Sequence, residues 1–296
     1  MSDNHGTADS QTGHATNGRE MTRPAGLLAQ AKQLVLRGGL DRLRPLLYAR
    51  STSGIRCLTF HYLFERELDQ AYSLFRALRA HGDFITTADM LALLDRPAQI
   101  DGRLFHLSID DGFDNIACNA HAILRDLSIP YTFFVCPDLV DGGPEGDEQF
   151  RINAGYRRRL PLASWETLRI LADDGVEIGS HTGTHRSVSS LAGEGDLDAE
   201  IVRSKATIEA RLARPCTSFA WPFGRIDAMT PTALAKASTA GYTALFSSVR
   251  GSLAAGGGSL PYLPRHHFEP SWSEAAVVYY ATRQEKSFIP DPRLST

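Results

Sequence analysis

The sequence has few cysteines and no long apolar run. Its four cysteines, in a chain of 296 residues, include no CxxC pair, which argues against a thiolate zinc site and against a disulfide framework. No stretch approaches the roughly 18 apolar residues that a membrane-spanning helix needs. The amino terminus also lacks a basic stretch followed by an apolar one, which is the pattern of a secretory signal. From these absences we expect a cytoplasmic protein.

A strong charge of either sign is missing as well. The formal net charge is -3 at pH 7, with 31 lysines and arginines against 34 acidic residues. Nucleic acid is not a predicted partner, because binding it needs a basic field that neutralises several phosphates. What is present, 43% hydrophobic and 22% charged residues, is typical of a soluble globular enzyme.

The composition divides the chain into four predicted regions. Residues 1–22 are polar without apolar periodicity and are expected to form a disordered tail. Residues 23–52 show apolar residues at helical spacing, with many cations and a single acid, Asp41. Two interpretations of this segment stay open, namely helices packed on the domain or peripheral membrane contact through residues 24–50. Residues 53–285 are predicted to form the main domain and residues 286–296 a C-terminal tail. No oligomeric state is predicted.

Beyond residue 54, short β-type runs alternate with helical segments, which is the pattern of an α/β fold with a mainly parallel sheet. The number of such runs suggests a closed or nearly closed barrel. A glycine-rich piece at Asp141–Gly146 is predicted to be a surface loop. The predicted strands are Ile55–His61, Leu104–Ile109, Tyr131–Val135, Val176–Gly179, Thr217–Ala220, Tyr242–Phe246 and Tyr262–Pro264.

Polar residues cluster at the ends of two of these strands. Asp110 and Asp111 precede Gly112, where a turn can bring both carboxylates toward one cavity. Two crowded carboxylates are costly unless a cation neutralises them, which indicates a metal nearby. His181 and His185 are four residues apart, the spacing with which zinc hydrolases place two imidazoles on one face. One aspartate and two histidines would give three ligands and leave a position open for water.

These motifs resemble those of a known family. The run SIDDG at residues 108–112 resembles the first motif, TFDDG, of the polysaccharide deacetylases, carbohydrate esterase family 4. HTGTH at residues 181–185 matches their second motif, HS/TxxH, and the resemblance covers about residues 55 to 270. The family includes chitin, peptidoglycan and nodulation-factor deacetylases. The resemblance implies an irregular (β/α)7 barrel, a TIM-like fold, and a hydrolase of carbon-nitrogen bonds other than peptide bonds.

The resemblance also implies roles for particular residues. Asp110 would be the general base, and Asp111, His181 and His185 would hold a divalent metal. We expect zinc, while cobalt, nickel and iron suit the same ligands. The nucleophile would be a metal-bound water that Asp110 deprotonates. In the family a backbone N–H of the third motif stabilises the oxyanion, and here that residue is Phe223.

The later motifs depart from the family pattern. The third motif commonly reads RxPY, with an arginine that tunes the base, whereas this chain has Ala220 in the arginine position. Arg265 is the nearest positive candidate for that task and is also a candidate for substrate binding. In the fifth motif the family supplies a histidine acid, and the stretch LPRHHF offers His266 and His267. An extended segment would turn only one of them inward. We favour His267, and the interpretation that neither is catalytic stays open.

Two further residues are candidate substrate contacts. His61 ends the first strand, where it can line the pocket or be a hydrogen-bonded core histidine. Trp221 can stack on a sugar face, or it can pack against a helix as aromatic residues near barrel strands often do.

The function predicted from these residues is removal of N-acetyl groups from an amino sugar or glycan precursor. Because the chain is expected to stay in the cytoplasm, a glycan precursor, lipid-linked sugar or small glycoside suits it better than a mature wall polymer. Two alternatives stay open. One is hydrolysis of a non-sugar linear amide, and the other is a catalytically silent carbohydrate-binding module, which the missing arginine at position 220 mildly favours.

Overall fold

The computed structural model describes residues 53–96, 99–191, 193–253 and 260–294. The predicted N-terminal tail, the predicted helical segment and its membrane contact all lie outside the described residues. Among the helices that are described, none is long and apolar enough to cross a membrane.

The described strands form one eight-stranded sheet in the order β7-β6-β5-β4-β3-β1-β8, and β2 pairs with β3 beside this path. All pairings between these strands are parallel. Parallel neighbours require crossover connections, and helices supply them here. The strands are β1 Gly54–Phe60, β2 Asp83–Ile85, β3 Arg103–Ile109, β4 Thr132–Val135, β5 Glu177–Ser180, β6 Ser218–Ala220, β7 Ala244–Phe246 and β8 His266–His267.

Helices cover the outside of the sheet. Several begin at a residue whose hydroxyl accepts a hydrogen bond from a backbone N–H of the first turn, namely Thr86, Ser164, Thr230 and Ser273. A stretch of π-helix, Asp198–Arg203, joins α6 to α7. The helices are α1 Leu68–Arg79, α2 Thr87–Leu94, α3 His121–Asp126, α4 Gly143–Ala154, α5 Trp165–Asp173, α6 Glu194–Leu197, α7 Ser204–Leu212, α8 Pro231–Thr239 and α9 Glu274–Thr282.

Strand β1 shows how the sheet separates two cores. All seven of its residues are buried, as expected for a parallel strand that is covered on both faces. Ile55 and Cys57 belong to the apolar cluster inside the barrel. Leu58 and Phe60 belong to the larger cluster between the sheet and the helices. Both faces of the strand therefore carry apolar side chains, and its two polar residues, Arg56 and Thr59, are buried among them.

One short segment closes the barrel. Leu263 pairs with Phe246 of β7, and shortly afterwards His266 and His267 pair with β1. We call residues 263–267 the closing segment. Since it contacts both ends of the strand order, the sheet curls into an irregular (β/α)7 barrel, and the predicted α/β class and barrel are confirmed.

The last predicted strand is displaced. It was expected at Tyr262–Pro264, whereas β8 comprises His266–His267. Proline has no N–H to give to a sheet ladder, so Pro264 interrupts the pairing between the bridge at Leu263 and β8. The short strand β2 was not predicted at all, because its three residues are too few to show a pattern.

Two other predictions are corrected. The expected loop at Asp141–Gly146 leads into α4, which has a proline in its first turn and ends at Gly155 with a positive φ of 73°. Both features are ordinary helix-end signals. Residues 286–294, expected to be a tail, pack on the domain instead. Phe288 N donates to Ser252 O at 2.8 Å, and Leu294 is 1% exposed in the main core, because these apolar side chains cover barrel surface.

Candidate active site

The C-terminal ends of the strands open into one cleft of about 360 Å³. Barrel enzymes keep their sites at this end, where loops from different strands converge. Strands β1, β3, β5, β6 and β8 each bring residues to it. The cleft is lined by His61, Asp110, Asp111, Ala154, Gly155, Tyr156, His181, His185, Phe223, Gly224, Arg225, Ser248 and His267.

The backbone at these strand ends is strained. Asp111, Thr182, His185 and Phe223 have positive φ angles of 79°, 65°, 62° and 66°. A non-glycine residue in such a conformation costs about 1–3 kcal/mol and persists only where surrounding contacts impose it. The loops after β3, β5 and β6 are therefore shaped to place side chains at the cost of local stability.

The turn at the end of β3 brings both aspartates to the cleft. Asp111 and Gly112 both have positive φ, and a side chain at Gly112 would press on Val135 at 3.3 Å. This double turn breaks the alternation of a strand, so consecutive carboxylates, both buried, face one space.

Three side chains meet in a metal-binding arrangement. Asp111 Oδ1 lies 3.4 Å from His181 Nε2 and 3.2 Å from His185 Nε2. All three potential ligand atoms lie within 4.8 Å of one another, and all three residues are buried. Ligands at about 2.0–2.2 Å from a tetrahedral metal lie roughly 3.3–3.6 Å apart. Both contacts of Asp111 fall at or just below this range, so the three residues fit a metal ion.

The hydrogen bond of His181 also suits a metal ligand. His181 Nδ1 lies 2.7 Å from the carbonyl oxygen of Ala220, so the neutral ring donates there and keeps the Nε2 lone pair free. His185 Nδ1 is buried and has no hydrogen-bond partner among the described residues. Burial alone would raise the pKa of Asp111, but the neighbouring His61, His181 and His185 hold that pKa well below its ordinary value.

Tyr156 is a site residue that the sequence did not reveal. Its hydroxyl donates to Asp111 Oδ2 at 2.6 Å, which leaves Oδ1 to face the histidines. Burial and the charge of Asp111 raise the pKa of Tyr156, so it stays a hydrogen-bond donor. The residue follows Gly155, at the end of α4. Recognising α4 from its Pro144 and Gly155 was the one signal that could have drawn attention to it.

A buried glutamate holds the loop that carries both histidines. Glu200, in the π-helical stretch, accepts from Thr184 N at 2.8 Å and from Thr184 Oγ1 at 2.5 Å. Its own carbonyl accepts from Gly183 N at 3.0 Å. Asn153 Nδ2 donates to Thr184 O at 2.6 Å from the other side. These contacts impose the strained conformation of the loop, and π-helical stretches often occur at such functional positions.

Arg265 forms a bidentate ion pair with the other aspartate. Its Nη1 and Nη2 lie 2.6 and 2.8 Å from the two oxygens of Asp110. Its Nε donates to Ser247 O at 2.8 Å, and the rings of Phe134 and Phe246 flank the guanidinium at 5.5 and 5.7 Å. Burial would raise the pKa of Asp110, yet the charges of Arg265 and His181 hold it below its ordinary value. Asp110 is therefore ionised and fixed in orientation.

This geometry corrects one predicted role of Arg265. The residue is 0% exposed and does not line the cleft. It was expected as a substrate contact, but it lies inside the barrel behind Asp110, because the carboxylate needs a buried counter-charge there.

Three other predicted residues do line the cleft. Phe223 lies beside His185, with ring centroids 5.4 Å apart. The rings of His61 and His267 meet edge to face at 4.9 Å, and His267 Nε2 lies 3.1 Å from Glu269 Oε1. Burial lowers the pKa of His61. The structure thus brings two histidines together at the side of the cleft formed by β1 and β8.

Two predicted site residues lie elsewhere. Trp221 is 0% exposed, its indole N–H donates to Arg225 O at 3.0 Å, and its ring packs on Tyr262, so it cannot stack on a sugar. His266 is 3% exposed and does not line the cleft. Its Nε2 lies 3.0 Å from Gly251 O and 3.1 Å from Arg56 Nη1. Neighbouring strand residues face opposite sides, so His267 alone reaches the cleft.

The family model described as polysaccharide deacetylase matches residues 99–245. The chain belongs to the polysaccharide deacetylase family. This assignment agrees with the predicted class of enzyme, a hydrolase of carbon-nitrogen bonds other than peptide bonds. The matched residues of the deacetylase domain include Asp110, Asp111, His181 and His185 and end before Arg265.

Solved structures and a curated protein show further similarity. IcaB from Ammonifex degensii superposes with a TM-score of 0.62 at 23% identity, over 77% of this chain and 97% of that chain. The Streptococcus pyogenes deacetylase PplD, in complex with acetate, gives 0.63 at 18% identity, over 79% and 100%. At these identities the likeness establishes the fold. A gellan lyase from Bacillus sp is 28% identical over 120 residues, which is 40% of this chain but only 4% of that protein.

Replacement of Arg265 by methionine is expected to lower the free energy of unfolding by about 3–5 kcal/mol, because it leaves the Asp110 carboxylate buried without its partner. Urea denaturation at neutral pH measures the loss. Arg125→Met is the matched control, since that side chain is 66% exposed and its ion pair with Asp174 contributes little. Equal stability of the two variants would contradict the structural role of the buried pair.

Replacement of Tyr156 by phenylalanine is expected to weaken metal binding by about 10–100-fold, the usual effect of removing a hydrogen bond to a metal ligand. Competition with a chromophoric chelator measures the dissociation constant. Tyr72→Phe is the control, because the Tyr72 hydroxyl donates to Asp126 on the surface. Unchanged affinity of Tyr156→Phe would show that Asp111 needs no such support.

Proposed function

We propose that this chain is a metal-dependent hydrolase that removes N-acetyl groups from an amino sugar of a glycan or glycan precursor. The observation that carries the proposal is the convergence of Asp110, Asp111, His181 and His185 in one cleft of a polysaccharide deacetylase domain. The similarity to a deacetylase in complex with acetate supports the same chemistry.

Asp111, His181 and His185 would hold the metal. A divalent ion there would polarise the amide carbonyl and lower the pKa of water. We propose zinc, because two imidazoles and a carboxylate are its usual catalytic ligands. Cobalt, nickel and iron are the alternatives with the same ligand preference.

Asp110 is the proposed general base. It lines the cleft beside Asp111, and its ionised carboxylate can accept a proton from the attacking water. Arg265 binds both of its oxygens, which fixes the plane of the carboxylate. This ion pair also lowers the basicity of Asp110, so it keeps the base charged at the expense of proton affinity. Arg265 thereby supplies the positive charge that in the family comes from an arginine at the position of Ala220.

His267 is the proposed general acid, and Phe223 the proposed oxyanion donor. His267 lines the cleft, and its Nε2 lies 3.1 Å from Glu269 Oε1. Such a ring can give a proton to the departing amine. The backbone N–H of Phe223, in the strained turn after β6, would donate to the oxygen on which negative charge develops. His61, against the ring of His267, would contact the substrate.

The cellular setting belongs to the proposal as well. We propose cytoplasmic residence, and with it a glycan precursor, lipid-linked sugar or small glycoside as substrate. Acetate release from a panel of such N-acetylated compounds is the direct test. Hydrolysis of linear amides alone would favour the non-sugar alternative. Metal binding without any hydrolysis would favour a silent carbohydrate-binding module.

Asp110→Asn is expected to lower kcat by about 10²–10⁴-fold, the usual contribution of a general base. Its metal content should stay unchanged, whereas His181→Ala should lose metal because two ligands remain. Acetate release and elemental analysis measure the two properties. Asp173→Asn is the control, since that carboxylate is exposed and pairs with Arg214. An active Asp110→Asn enzyme would refute the assigned base.

His267→Ala is expected to reduce kcat by about 10²-fold for amide substrates, since the amine leaves poorly without a proton. Activated esters, which need no protonation of the leaving group, should lose less. His266→Ala should mainly lower the melting temperature, because it removes contacts with Gly251 and Arg56. A larger loss of kcat in His266→Ala than in His267→Ala would reverse the assignment.

A further inference from the structure

A second groove adjoins the cleft on the side of the barrel. Its volume is about 660 Å³, and residues 249–251, 279 and 283–289 line it. Ser248 lines the cleft and the next residue, Val249, lines the groove. The same loop after β7 therefore contributes to both openings.

The groove carries an excess of positive charge. Arg250, Arg283 and Lys286 line it together with one carboxylate, Glu285. Glu285 is already engaged, because Arg283 Nη2 lies 2.8 Å and Arg56 Nη1 lies 3.4 Å from it. Arg250 and Lys286 are exposed, and neither forms an ion pair within the described ranges of the chain. Two cations are thus available to an anionic ligand.

Two of the three cations in the groove, Arg283 and Arg250, stack on aromatic rings. The guanidinium of Arg283 lies 5.0 Å from the ring centre of Tyr280, and that of Arg250 lies 5.5 Å from the same ring. Arg283 also lies 5.9 Å from the ring of Tyr279, which lines the groove. Stacked guanidiniums lose less freedom when they bind a ligand, and this favours affinity.

Buried polar residues also bind the backbone of the segments that form the groove. Arg56 is 5% exposed, and its Nη2 donates to Arg283 O at 2.9 Å. His266, which does not reach the cleft, accepts from or donates to Gly251 through Nε2 at 3.0–3.2 Å. These contacts fix the backbone on two sides of the groove. Burial, and after it the charge of Arg56, lower the pKa of His266 to about 4.

We propose that this groove binds an anionic group, a carboxylate or phosphate, carried by sugars that neighbour the deacetylated one. The inference rests on the proposed function, because it presumes that an N-acetylated sugar occupies the cleft. Guanidinium groups match carboxylate and phosphate through paired hydrogen bonds. The proposed substrate is accordingly an acidic glycan of more than one sugar unit.

The test is calorimetric titration of the full, metal-free chain with three probes: an oligogalacturonate, inorganic phosphate, and neutral tetra-N-acetylchitotetraose. The oligogalacturonate is expected to bind more tightly than the neutral tetramer, and more weakly as salt rises. Arg250→Glu/Lys286→Glu should weaken this binding by about tenfold or more, because it replaces two attractive charges by repulsive ones. Arg214→Glu, an exposed arginine elsewhere, should leave it unchanged.

Folding is checked by circular dichroism, and Arg250→Gln/Lys286→Gln serves as a second variant that should weaken binding to a lesser degree. Equal affinity of wild type and both double variants would overturn the proposal. So would tighter binding of an oligothymidylate of equal charge, which would indicate a general polyanion surface. Phosphate binding as tight as that of the oligogalacturonate would show that the groove recognises the anion without the sugar, which contradicts a glycan ligand. The binding measurement needs no turnover. Failed acetate release would therefore refute the proposed function, whereas the affinities alone decide whether the groove binds an anionic glycan.

Discussion

Two consecutive carboxylates buried at the mouth of the barrel are the constraint around which the site is organised. An ionised carboxylate without a partner costs several kcal/mol in such surroundings. Each of the two carboxylates has its own partners. Asp110 receives the guanidinium of Arg265, while Asp111 receives Tyr156 and faces two histidines. The proposed base and the proposed metal ligand are adjacent in sequence, and their different partners suit them to different tasks.

The strained loops depend on the same scaffold. Positive φ angles at Asp111, His185 and Phe223 would relax if their neighbours allowed it. The hydrogen bonds of Glu200 and Asn153 hold the histidine loop, and the buried strands beneath supply the stability that offsets the strain. Rigid placement of this kind is what a preorganised site requires, since misplacement by even 1 Å can cost a large part of the rate.

Much of the fold and half of the site could be predicted from sequence because their signals are local. Buried parallel strands read as apolar runs, and the aspartate pair and the two histidines each lie within five residues. The ion pair of Asp110 and Arg265 spans 155 positions, so no local spacing reveals it. The choice between His266 and His267 depended on the register of the closing segment, where a shift of one residue exchanges the faces. The predicted stacking of Trp221 on a sugar was wrong for a similar reason, because residues distant in sequence bury its side chain.

The closing segment has a consequence for local stability. It joins β7 to β1 through Leu263 and β8. The same five residues carry Arg265, which pairs with Asp110, and His267, which lines the cleft. Closure of the barrel and placement of these two side chains therefore depend on the same backbone contacts. Local opening of this segment would displace both side chains together, so the seam of the barrel and this side of the site form one cooperative unit.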